Sequence, residues 1–147
     1  MPAVSGSFSG NVKVQTALAV SDQSNHELNV AEIGGTQNST DEMWNNSAIT
    51  YWGITDLVAG KGSQRGYFVN DHGESGRDWG TFEGNVATNG AKITVAGKYQ
   101  FIGGSGKFKG LTGGGNFETT MSSPREVVAT WQGTYQLASA KAQAHAR

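Results

Sequence analysis

The segment from Glu126 to Leu137, EVVATWQGTYQL, alternates without a break. Val127, Ala129, Trp131, Tyr135 and Leu137 fall on one side, and Glu126, Thr130, Gln132, Thr134 and Gln136 on the other. A period of two belongs to a strand with one buried and one wet face. The same period runs through Lys92–Ile102, where Ile93, Val95, Tyr99 and Phe101 share a side. It runs again through Asn11–Val20, where Val12, Val14, Thr16, Leu18 and Val20 do. Further β-branched or aromatic runs lie at His26–Ile33, Ala48–Val58, Gln64–Asn70, Arg77–Val86 and Gly115–Thr120. Hairpin chemistry separates several of them, in DHGESG at Asp71–Gly76 and in Asn89-Gly90. About eight short strands with one apolar face each, and no long helical pattern, predict an all-β chain. The expected fold is a single eight-stranded antiparallel β-barrel, lipocalin-like in shape, over residues 1–137. The tail 138–147, ASAKAQAHAR, has helix formers but little apolar face, and reads as flexible or as a frayed helix.

Composition narrows the function classes. The net charge is -1, so no basic surplus exists to meet a nucleic-acid backbone. No apolar run approaches the ~18 residues of a spanning helix, and the opening MPAVSGSFSG lacks the parts of a signal peptide. Cysteine is absent, which removes disulfides, thiolate nucleophiles and Cys-type metal sites and fits a cytoplasmic location. A secreted location requires a signal peptide already removed. Glycine numbers 22 of 147, about twice the usual ~7%, while proline numbers two. That balance fits tight turns between strands.

Seven glycines fall in FIGGSGKFKGLTGGGNFE, Phe101–Glu118. A P-loop would need G-x-x-x-x-G-K-[ST], but Phe101 stands at the first glycine position and Phe108 at the hydroxyl position. A dinucleotide fingerprint would need its third glycine at Lys109. The stretch reads as a tight reversal at Gly103–Gly106, after which Phe108 and Leu111 dip inward and cap one end of the barrel. The echo of FSGNV at Phe8 and FEGNV at Phe82 reads as barrel geometry, an aromatic covering a nearby glycine.

With the preceding ITVAGKYQ, this turn resembles the hallmark turn of the allene oxide cyclase and dirigent-type barrels. GTFEGNV and TWQGTYQL resemble segments of small bacterial barrel-like members, so the resemblance covers roughly Tyr51 to Leu137. It implies an eight-stranded antiparallel barrel that forms homodimers or homotrimers. Members of the family cyclise a fatty-acid epoxide or steer the radical coupling of phenols.

The residues themselves offer few catalytic patterns. His26, His72 and His145 show no metal spacing, so no metal and no cofactor is expected. His72 and His145 read as surface residues, and His26 as a residue near a barrel mouth. No G-x-S-x-G elbow is present. If Leu28 and Val30 face inward, Glu32 does too; Arg65, Tyr67 and Val69 share a parity, so Arg65 can point into a mouth. An inward Glu32 beside Arg65, with Tyr51, forms the candidate catalytic set, or else a structural ion pair. Tyr67, Tyr99, Phe101, Trp131 and Tyr135 form a candidate ligand-binding interior, with Trp44 from the polar loop as a lid contact. Several tyrosines in one core require partners for their hydroxyls. The expected function is binding of a small hydrophobic or phenolic molecule inside the barrel. The alternatives are a cofactor-independent isomerase, cyclase or lyase acting on such a molecule, and a sealed structural barrel.

Overall fold

The computed structural model describes residues 2–137 and shows eight strands closed into one antiparallel barrel. The strands are β1 (Ala3–Ala19), β2 (His26–Ser39), β3 (Ala48–Val58), β4 (Lys61–Asp71), β5 (Arg77–Asn89), β6 (Lys92–Gly104), β7 (Leu111–Met121) and β8 (Glu126–Leu137). Each pairs with its sequence neighbours, and β1 closes on β8 through Ala3–Asn11 against Glu126–Thr134. The only helical pieces among the described residues are two 3-10 turns, so no helix there is long enough to cross a membrane. The fold expectation is met; the expected tail 138–147 lies outside the described residues.

The interior is aromatic. Phe8, Tyr51 and Phe82 meet edge to face at 5.9 and 5.6 Å, so the two phenylalanines of the FSGNV and FEGNV echo flank one tyrosine. Val127, Ala129, Trp131 and Tyr135 of β8, and Val95, Tyr99 and Phe101 of β6, are buried as their alternation predicts. The glycine-rich reversal lies later than the expected Gly103–Gly106: β6 runs on to Gly104, and the turn spans Ser105–Gly110 with positive φ at Gly106 and Gly110. Phe108 and Leu111 are among the most deeply buried side chains. Gly106 takes φ 61°, and a Cβ there would stand 2.5 Å from the Ser75 carbonyl oxygen, so only glycine lets the two turns touch.

Three strands depart from the expected face: β1 beyond its bulge, β2 and β4. A bulge between Val12 and Val14 shifts the register of β1, so Val12 stays inward while Val14 and Leu18 point outward. Opposite them on β2, Leu28 and Val30 are exposed, and Ile33 and Gln37 take the interior. β2 also runs on to Ser39, so the loop expected from Gly34 shortens to Thr40–Ser47. On β4 the inward set is Gln64, Phe68 and Asn70, leaving Arg65 and Tyr67 outside.

The β1–β2 turn is tied by His26, whose Nδ1 donates to Asp22 at 2.5 Å and whose Nε2 donates to Asp56 of β3 at 2.6 Å. Only the imidazolium offers both N–H groups. The bonds to Asp22 and then Asp56 raise the His26 pKa above its ordinary 6.5, and the bond from His26 lowers that of Asp22 below 3.8. His26 therefore supports the turn fully below its ordinary value and stops doing so as pH rises through its raised one. Asp22 supports it above its ordinary value and stops as pH falls through its lowered one. Amide protection of Val20, which donates to the His26 carbonyl at 2.9 Å, should peak in mildly acid solution. It should fall toward alkaline pH, and His26→Gln should abolish that fall in hydrogen-exchange measurements; an unchanged profile in the variant would disprove the assignment.

Candidate functional site

Even-numbered turns of the chain gather at one end of the barrel: Thr40–Ser47, His72–Gly76 and Ser105–Gly110. Trp44 comes from the first of these loops and is fully buried in the mouth. Its loop is built to deliver it. Asp41 Oδ1 accepts from the Met43 amide at 2.9 Å, the Asp41 carbonyl accepts from the Trp44 amide at 3.0 Å, and Ser47 Oγ donates back to the Trp44 carbonyl at 2.7 Å. The indole packs at 4.9 Å from Tyr135, 5.4 Å from Phe108 and 5.6 Å from Phe101. The expected lid contact is thus a plug, wedged among aromatic rings.

Under the plug runs a buried polar chain. Trp131 Nε1 donates to Gln37 Oε1 at 2.8 Å, Gln37 Nε2 donates to Asn70 Oδ1 at 3.1 Å, and Asn70 Nδ2 donates to Asp78 Oδ1 at 2.9 Å. The other carboxylate oxygen of Asp78 accepts from Trp44 Nε1 at 3.0 Å and from His72 Nε2 at 2.5 Å. Asp78 is fully buried, and these three N–H groups replace its lost water. His72 is nearly buried too, stacked on Phe108 at 3.9 Å, which corrects the expectation of a surface histidine. Its Nδ1 has no hydrogen-bond partner among the described residues. No group of three His, Cys, Asp or Glu able to hold a metal ion is found among those residues.

Below the polar chain lies a cavity of about 70 Å³. Its walls include Phe8, Tyr51, Phe68, Tyr99 and Trp131, with Gln37 and Asn70 facing it from the polar chain. Burial raises the pKa of the Tyr51 phenol; burial, and then the charge of Asp78, raises that of Tyr99. Both rings therefore stay protonated and can act only as neutral donors or acceptors. The Tyr99 hydroxyl is buried without a hydrogen-bond partner among the described residues. It lies against β8, where a Cβ on Gly133 would stand 2.6 Å from the oxygen. Tyr135 is different: its hydroxyl donates to Asp41 Oδ2 at 3.1 Å, tying the barrel wall to the plug loop.

The other expected site residues divide clearly. Tyr51, Tyr99, Phe101, Trp131, Tyr135 and Trp44 share the interior. Glu32 does not join them: it lies on the outer face and accepts from Trp52 Nε1 at 2.8 Å. Arg65 is exposed, and Tyr67 is 59% exposed. The expected inward pairing of Glu32 with Arg65 beside Tyr51 is therefore not formed, because the phases of β2 and β4 are opposite to those assumed. Gln37, Asn70, His72 and Asp78 were missed. One signal pointed to them: Asn70 and Asp78 are register partners across the DHGESG hairpin, and Asn70 shares the phase of Phe68.

No protein-family model matches the chain, and no curated protein matches it significantly.

Proposed function

We propose that the barrel holds a small hydrophobic or phenolic molecule about one aromatic ring in size. The observation that carries this reading is Tyr99, which lines a largely aromatic cavity and whose buried hydroxyl has no hydrogen-bond partner among the described residues. An unsatisfied buried hydroxyl costs about 1–3 kcal/mol, so a barrel selected only to be stable gains by losing it. A ligand oxygen beside Tyr99 removes that cost. The cavity of about 70 Å³ is smaller than the ~150 Å³ that admits benzene, so a ring enters by displacing a side chain. Gln64 and Phe117 line the cavity and are only half-buried, which makes them the side chains that yield.

Titration with phenol and with toluene tests the reading through thermal unfolding and tryptophan emission. Phenol should raise the melting temperature more than toluene does, and Tyr99→Phe should erase the difference. The same variant without ligand should melt about 2–4 °C higher, corresponding to roughly 1 kcal/mol. If neither compound shifts melting or emission up to its solubility limit, the reading fails.

The His72–Asp78 pair favours a second reading, a cofactor-independent isomerase, cyclase or lyase. A histidine whose Nε2 donates to a carboxylate carries a lone pair on Nδ1 when neutral, as a general base requires. The Trp44 ring, 5.9 Å from His72, itself lines the cavity, so this chemistry needs the plug to move. Glu32 and Arg65 take no part in it.

A further inference from the structure

The outer face of β1–β4 is apolar where a barrel exterior is ordinarily polar. The strand register aligns three rows there: Leu18, Leu28 and Asp56; Thr16, Val30, Ile54 and Arg65; Val14, Glu32, Trp52 and Tyr67. Val14 is 62% exposed, Leu18 64% and Val30 50%, and Trp52 and Ile54 are exposed beside them. Together with Leu28 and Tyr67 these side chains offer on the order of 600 Å² to solvent, the upper end of what monomeric proteins leave uncovered. A standard interface buries ~800 Å² per partner, so this patch and its rim are of the right size for one.

The face also extends beyond the closed part of the barrel. β8 pairs with β1 only as far as Asn11, and the rest of β1 carries the β1–β2 ribbon past that seam. The rim holds both signs of charge, Glu32 and Asp56 against Arg65. A patch with an apolar centre and mixed-sign rim complements itself across a two-fold axis, the arrangement that yields closed pairs. An anionic lipid surface would instead want a basic rim, and the chain's net charge is -1.

We propose that this face is a docking surface for a second copy of the chain, packed sheet against sheet through Val30 and Ile54. The interface is isologous and the assembly is a dimer. It is independent of the cavity and of any ligand there.

Sedimentation velocity of the full chain over a broad concentration series tests this. The expected mass is twice 15.5 kDa, falling to 15.5 kDa in Val30→Lys and in Ile54→Lys. Both positions are exposed, so the variants should keep the wild-type circular dichroism and melting curve of the diluted monomer. Trp52 gives an independent reading on the unmodified protein: its emission should shift to the blue as concentration rises, and the shift should vanish in Trp52→Phe. A wild-type mass of 15.5 kDa throughout overturns the proposal, as does any larger ring or a dimer unaffected by both lysines. Monomers that float with anionic phospholipid vesicles would assign the face to a lipid surface and overturn it as well.

Discussion

Replacing Asp78 by alanine is expected to lower the stability of the barrel by about 3–5 kcal/mol. Three N–H groups, from Trp44, Asn70 and His72, would lose their acceptor in a site closed to water. Hydrogen bonds to a charged acceptor contribute roughly 1.5–3 kcal/mol each, and the desolvation of the carboxylate offsets several kcal/mol of that sum. The donors left behind decide the sign, because alanine relieves the buried charge but satisfies none of them. For a chain of 147 residues the loss corresponds to a fall of about 10–15 °C in melting temperature. Asp78→Asn keeps one acceptor and lets His72 change tautomer, so it should cost only about 1–2 kcal/mol. Urea unfolding of both variants measures the difference. An alanine variant within about 1 kcal/mol of wild type would mean that the three donors find other partners.

Trp44→Ala should be comparably damaging, at about 3–5 kcal/mol, for a different reason. The indole fills the mouth between Phe101, Phe108 and Tyr135, so its removal leaves a cavity among those rings. Trp44→Phe would keep most of the packing and lose the N–H to Asp78, for about 1–2 kcal/mol. Because Trp44 and Asp78 share one hydrogen bond, the double alanine variant should lose about 1–3 kcal/mol less than the sum of the singles. Full additivity in a denaturant double-mutant cycle would show that the plug and the carboxylate act separately.

The strands that could be read correctly were those whose hydropathy matches their burial. In β6 and β8 every large apolar side chain of the alternating set is interior or half-interior, so the period identified the right face. β1 and β2 defeated the same argument. Leu18, Leu28 and Val30 are apolar and outside, and alternation records only that one side is apolar, not which side the barrel encloses. The bulge at Val12/Val14 then reversed the phase within a single run. Assigning Glu32 and Arg65 to the interior followed from those phases and fell with them. The polar chain was hidden for another reason. His72 and Asp78 lie six residues apart across a turn that looks fully solvated. Their burial is imposed by Trp44 and Phe108, which arrive from other loops about thirty residues away in sequence. Periodicity carries no record of such a cover. The aromatic interior, by contrast, was accessible because large rings at inward phases have no other place to go.

Seven of the eight strand pairings join neighbours in sequence, and the eighth joins Ala3–Asn11 to Glu126–Thr134. That difference governs the order of events in folding. Local hairpins form within about 1–10 μs, whereas the last pairing requires the two ends of the chain to meet, an entropic loss incurred before any of its contacts exist. During vectorial synthesis the first strand must wait for nearly the entire remaining sequence before its second partner emerges. Until then Ala3–Asn11 presents unpaired backbone to whatever strand diffuses by, so the interval before the last strand appears, rather than the finished molecule, is where this architecture is most exposed to mispairing.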